Sequence, residues 1–195
     1  NKARAVPVTL VKPNVHPTRE SASENIYMRP EAAAALEALF AGAAEDGLTL
    51  YATSGYRSYS TQKAIFERKL DRMSEKQANL SVAKPGYSEH QTGLAMVIEG
   101  ETTKGTGLTE AFGESPEGIW AAKHCAEYGF IIRYPKDKTK ITGYIYEPWH
   151  LRYVGREAAQ EITALDVTFE EYIAMVRSDR IQWLQEETQY DDQNP

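Results

Sequence analysis

The run Leu94, Ala95, Met96, Val97, Ile98 constrains the fold of this 195-residue chain more than any other stretch. Five apolar residues ending on two β-branched ones are too few for a membrane span and read as a buried strand. Such a strand must be covered by other elements, so the chain needs a core around it. The stretch before it, "SEHQTG", is polar and ends in a glycine turn. Polar chemistry is therefore set directly against the buried run.

The neighbouring segments supply the cover. "RPEAAAALEALFAGAAEDG" reads as a helix with Pro30 in its first turn and Gly47 as its stop. "LTLYATSGYR" follows as a strand with alternating Leu48, Leu50 and Ala52, and "SYSTQKAIFERKLDRM" returns to helical spacing with Ser58 or Ser60 as cap. Residues 74–90 read as a loop, and Glu99 to Glu117 as a glycine-containing surface loop. "GIWAAKHCAEYGF" is a helix ended by Gly129, "IIRYP" a strand, and "TGYIYEPWHLRYVG" a hairpin partner or closing strand. The end of the chain is helical with a break near Asp166 and Thr168. The fold class this predicts is α+β, a small, mostly antiparallel sheet with packed helices.

At about 150 residues per domain the length fits one domain with trimmings. Residues 1–30, with Pro7, Pro13, Pro17 and Pro30, read as an extended N-terminal arm; residues 31–178 form the main domain; 179–195 are a helix end and acidic tail. The chain carries 22 basic and 28 acidic side chains, a formal charge of −6, which gives no electrostatic reason for a nucleic-acid or anionic-membrane partner. Cys125 stands alone, which excludes an intrachain disulfide and a cysteine-based zinc knuckle, and it reads as a small buried hydrophobe. The N-terminus lacks a signal-peptide layout, which fits either a cytoplasmic chain or a trimmed ectodomain.

Two of the four histidines have chemically suggestive neighbours; His16 in the arm and His124 in a helix read as structural or solvated. In "EPWH", Glu147 precedes His150 by three residues and Pro148 excludes a regular helix interior. A chain kinked at the proline can bring both side chains to one point, where a histidine holds a metal and a free carboxylate takes a proton from water. A packed Trp149 beside a surface glutamate reads the same four letters. In "SGYRSYSTQ", Arg57 follows a strand-ending turn with Gln62 one helical turn further on, a place from which an arginine can clamp a carboxylate or steady an oxyanion. A surface ion pair with a helix cap fits that stretch too.

Taken in order, "SGYRSYSTQ", "GYSEHQTGLAMVIEG", "YGFIIRYP" and "EPWHLRYVG" resemble the D-alanyl-D-alanine carboxypeptidases of the VanY type, zinc peptidases of bacterial cell-wall metabolism. The resemblance covers roughly Leu48 to Val176 and implies a zinc D,D-peptidase-like fold. It places metal ligands at His90 and His150, the catalytic glutamate at Glu147, and substrate contacts at Arg57, Gln62 and Ser88. Arg57 also acts in catalysis, and Arg133 is expected to face the peptide. The family's third metal ligand is an aspartate seven residues after the first histidine; this chain has Val97 there.

A valine supplies neither lone pair nor charge, and a catalytic zinc needs three protein ligands and a water. Zn2+ is therefore expected to be weakly bound or absent and turnover reduced, while the fold survives because an apolar side chain removes the cost of burying a carboxylate. Glu99 lies on the same strand face about 6.6 Å further along and is a poor substitute. The function implied is removal of the terminal D-alanine from peptidoglycan stem peptides, impaired at Val97, with a non-catalytic peptidoglycan-peptide binding module as the alternative. D,D- and L,D-specificity are both open. The expected partner is the stem peptide and no nucleic acid, the expected state a monomer, and the expected location extracytoplasmic, with an anchor or signal outside these residues.

Overall fold

The computed structural model describes residues 6–19 and 25–193, with side chains of the last helix described up to residue 181. Its centre is one four-stranded antiparallel sheet in the order β1 (Leu50–Ser54), β2 (Ala95–Gly100), β4 (Glu147–Tyr153), β3 (Phe130–Tyr134). Every residue of β2 is buried, as the unbroken apolar run requires. The "EPWH" segment is the antiparallel partner of the preceding strand β3, as expected, but it does not close the sheet, because its other side pairs with β2.

Helices cover this sheet. α1 (Pro30–Glu45) starts on Pro30 and buries Leu36, Leu39 and Phe40, in the same core cluster as Met96 and Ile98 of β2 and Leu151 of β4. α2 (Tyr59–Leu70) is capped by Ser58, whose hydroxyl accepts the amide N–H of Thr61. The expected loop over 74–90 holds a short α3 (Glu75–Ala78) with a Ser74/Gln77 capping box, and the 3-10 turn Glu89–Thr92 follows it. Four-residue elements carry too little periodicity to be read from sequence. The expected surface loop begins only after Gly100, since Glu99 and Gly100 complete β2, and it ends in α4 (Ala111–Glu114).

α5 (Pro116–His124) tightens to a 3-10 turn and stops at Gly129, whose φ of 85° is the left-handed stop expected there. α6 (Thr139–Thr142) precedes β4. The break near Asp166 separates α7 (Arg156–Ala164) from α8 (Phe169–Gln193). The acidic side chains at 186, 187, 191 and 192 lie outside the described residues. Among the described residues no helix is long and apolar enough to cross a membrane. The arm folds back on itself through a bridge from Val11 to Met28 and is tied to the domain by one from Pro17 to Ala52.

Two register shifts mark one end of the sheet. One lies between Ala52 and Ser54, the other between Ile132 and Tyr134. Past them Ser54 stands opposite Val97, Val97 opposite His150, and Tyr134 opposite Glu147. Bulges re-aim side chains and end pairing, so polar groups converge at this end of an otherwise apolar sheet.

Candidate active site

The end of β1 turns at Gly55 hard against the arm. A Cβ there would lie 2.5 Å from the Tyr27 carbonyl oxygen, so only glycine lets the two backbones approach. The Gly55 carbonyl then accepts a 2.6 Å hydrogen bond from His90 Nδ1, and the Arg57 amide N–H donates to the His90 carbonyl at 3.1 Å. These bonds seat the 3-10 turn that carries His90 on the end of β1. Gly93, at φ 71°, closes that turn and launches β2.

Arg57, Gln62, Ser88, His90, Val97, Glu147 and His150, far apart in sequence, line one cavity of about 210 Å³. A larger cleft of about 480 Å³ between the arm and α1 contains none of them. Sequence reading did not single out Glu89, Leu108, Tyr134 and Tyr144, which line the same cavity. Glu89 and Tyr134 had a signal, since they sit inside the "SEHQTG" and "YGFIIRYP" motifs; Leu108 and Tyr144 lie outside the four motifs. Arg133, expected to face the peptide, does not line the cavity: its guanidinium is spent on Glu89 and Glu170 behind the wall.

The hydrogen bonds fix the histidine tautomers. A carbonyl oxygen only accepts, so His90 Nδ1 is the N–H that meets Gly55. His150 Nδ1 lies 3.0 Å from Glu147 Oε2 and donates to that carboxylate in the same way. With Nδ1 so engaged, the free nitrogen of each ring is Nε2, and the ring centroids are 5.0 Å apart. His150 Nε2 is buried and has no hydrogen-bond partner among the described residues. Burial, with Arg57 and His150 nearby, holds His90 well below the usual imidazole range, so it stays neutral.

This shift predicts a stability slope. With a chelator present, folded His90 refuses the proton that the unfolded chain accepts, so the unfolded state binds more protons at low pH. Stability is present above the unfolded pKa of about 6.5 and is lost as pH falls below it. Urea titrations across that range are expected to show the loss, and His90→Gln to flatten it.

Arg57 is half-buried and has neutral partners: Nη1 donates to Gln62 Oε1 at 2.8 Å and Nη2 to Ser54 Oγ at 3.2 Å. Gln62 is itself held by a 2.6 Å bond from Nε2 to the Ala83 carbonyl. Among the described residues no carboxylate reaches Arg57 within ion-pair distance. Burial depresses its basicity, and the more distant Glu147 opposes that only in part. A desolvated guanidinium without a direct counter-ion, aimed by a fixed glutamine, is built to receive an anion.

A catalytic metal fits these residues only in part. Two imidazole nitrogens are in the correct tautomer, but the residue opposite His150 is Val97, 4% exposed and part of the apolar core. Among the described residues no group of three histidine, cysteine, aspartate or glutamate side chains is placed to hold a metal ion. Glu99 does not substitute, because it lies outside the cavity and its Oε2 accepts the Gly105 amide N–H at 3.2 Å. The donor set does not complete a catalytic zinc centre.

The architecture is that of the zinc D,D-peptidases: helices on a small antiparallel sheet with the chemistry gathered at one end of its strands. Residues 25–156 match the family model described as VanY, D-alanyl-D-alanine carboxypeptidase, and the chain belongs to that family. YodJ of Bacillus subtilis (strain 168) is 49% identical over 171 residues, covering 88% of this chain. The chain spans 62% of that relative's length. Among solved structures, the LdcB LD-carboxypeptidase, whose structure concerns peptidoglycan recognition, superposes with a TM-score of 0.83 at 48% identity, covering 88% of this chain and 80% of its own. A vancomycin-resistance D,D-pentapeptidase VanY solved with Zn(II) gives a TM-score of 0.68 at 34% identity, covering 86% and 93%.

Proposed function

We propose that this domain is a carboxypeptidase of cell-wall metabolism that engages the C-terminal end of peptidoglycan stem peptides, with removal of the terminal D-alanine impaired by Val97. The observation that carries this reading is Arg57, a half-buried guanidinium with only neutral hydrogen-bond partners, sharing one cavity with Glu147 and the two histidines. Arg57 receives the terminal carboxylate or steadies the oxyanion, and Gln62 and Ser54 hold its fork in place. Ser88 orients the peptide. Glu147 takes a proton from the attacking water and returns it to the leaving amine. Zn2+ is weakly bound or absent with this ligand set. A substrate in the cell wall places the protein outside the membrane, and that location is part of the proposal.

Val97, packed into the core cluster, supports a second reading in which the same pocket recognises the peptide without cutting it. Both readings require the peptide terminus to bind. In calorimetric titrations the chain is expected to bind a muramyl pentapeptide with a free terminal carboxylate. Its C-terminal amide, or the Arg57→Ala variant, is expected to bind about tenfold or more weaker. Equal affinity for acid and amide would remove Arg57 as the anion receptor and with it the basis of the proposal.

A further inference from the structure

From Glu89 in the cavity wall outward, four charged side chains form a continuous chain. Glu170 meets Arg133 through two bonds, Nη2 to Oε1 at 2.5 Å and Nη1 to Oε2 at 3.0 Å. Arg133 Nε reaches Glu89 Oε1 at 2.8 Å, and Arg152 Nη1 lies 3.1 Å from that same oxygen. The Phe169 ring lies 5.3 Å from each guanidinium carbon. Burial alone would raise the Glu89 carboxyl, but Arg152 and Arg133 outweigh it and hold it below the usual carboxylate range. The four come from the 3-10 turn, β3, β4 and α8, and α8 lies outside the matched residues 25–156.

Buried ion networks are poor sources of net stability; what they supply is fixed geometry. Here the geometry is that of the site. Glu89 stands between Ser88 and His90, and the backbone bonds of the turn holding them are long, at 3.3 Å from Gln91 N–H to the Ser88 carbonyl and 3.2 Å from Gly93 N–H to the His90 carbonyl, with one short bond from the Thr92 hydroxyl to the Glu89 carbonyl at 2.6 Å. These bonds shape the turn, and ties to other elements place it on the sheet. Gly55 and Arg57 hold it from the β1 side, and Glu89 holds it from β3 and β4. Arg133 can face Glu89 squarely only while its other two nitrogens are engaged. Without Glu170 a buried guanidinium is left half paired, and its best recourse is to turn toward solvent or draw Glu89 with it.

We infer that Glu170, from the first turn of α8, is a positioning residue for Ser88 and His90, acting through Arg133 and Glu89. The helix at the end of the domain thereby becomes a working part of a site whose lining residues all lie before it. The affinity arm of the test rests on the pocket reading above; the spectroscopic arm does not.

In Glu170→Gln the imidazole nitrogen signals of His90 are expected to shift in a ¹⁵N-labelled chain, while those of His16 and His124 stay in place. Peptide affinity is expected to fall about tenfold, as for loss of other residues that orient ligating side chains. Glu170→Asp, which keeps the charge, recovers most of both effects, which a helix that merely packs would not require. Phe169→Leu, which removes the ring beneath both guanidiniums without touching a charge, moves the same His90 signals if Glu170→Gln does not fold. Unchanged His90 signals in folded variants overturn the inference. A wild-type chain that binds no peptide overturns the pocket reading instead, and the imidazole signals then decide this one alone.

Discussion

With zinc added, Val97→Asp is expected to release D-alanine from a muramyl pentapeptide at least about 100-fold faster than the wild-type chain. The reason is positional. Residue 97 pairs across the sheet with His150 and lines the same cavity as His90 and Glu147, so a carboxylate there joins two imidazoles already in the ligating tautomer. Three protein donors complete a catalytic zinc centre where two do not. Zinc affinity, measured by competition with a chelator, should rise with activity. In the chelator alone the variant should be less stable by a few kcal/mol, because a carboxylate then sits in a position only 4% exposed. Zinc should reverse that loss in the variant and have little effect on the wild type.

The outcomes divide the two readings. Gain of zinc and of hydrolysis together shows an enzyme silenced at one ligand. Gain of zinc without hydrolysis favours the binding module, and equal hydrolysis in both chains places the third ligand elsewhere.

The second large effect is Glu147→Gln in the Val97→Asp chain. It is expected to lower kcat by about 100-fold to 10,000-fold, the contribution of a well-placed general base. Peptide affinity should change much less. The glutamine can still accept the His150 Nδ1 hydrogen bond now seen at 3.0 Å, so the fold and the ring orientation are kept while the proton acceptor is lost. Steady-state kinetics on the two chains separate these terms. An unchanged kcat would remove Glu147 from the role of base.

Much of this molecule was legible before folding. The α1 helix, the three strand-like runs and the break near Asp166 follow from local periodicity and punctuation, which need no distant partner. The "EPWH" motif was legible as residues but not as a place. Its depth in the sheet depends on pairing with β2 and β3, whose residues are distant in sequence. The short elements around Ser74 and Glu89 escaped because four residues carry no period. Arg133 was misplaced for another reason: a strand position offers two faces, and only the packing of α8 shows which carboxylate waits on the buried one.

By itself the sequence determined the α+β class, which is a property of residue type and spacing. Its resemblance to the family also singled out Arg57, Gln62, Ser88, His90, Val97, Glu147 and His150, which the structure brings into one cavity. The tertiary structure alone decided that Val97 stands beside His150, that Glu99 is engaged by Gly105, and that Glu170 reaches the site through Arg133. The β-sheet register and buried ion pairs are set by contacts between segments far apart in the chain, and no local pattern encodes where such segments meet.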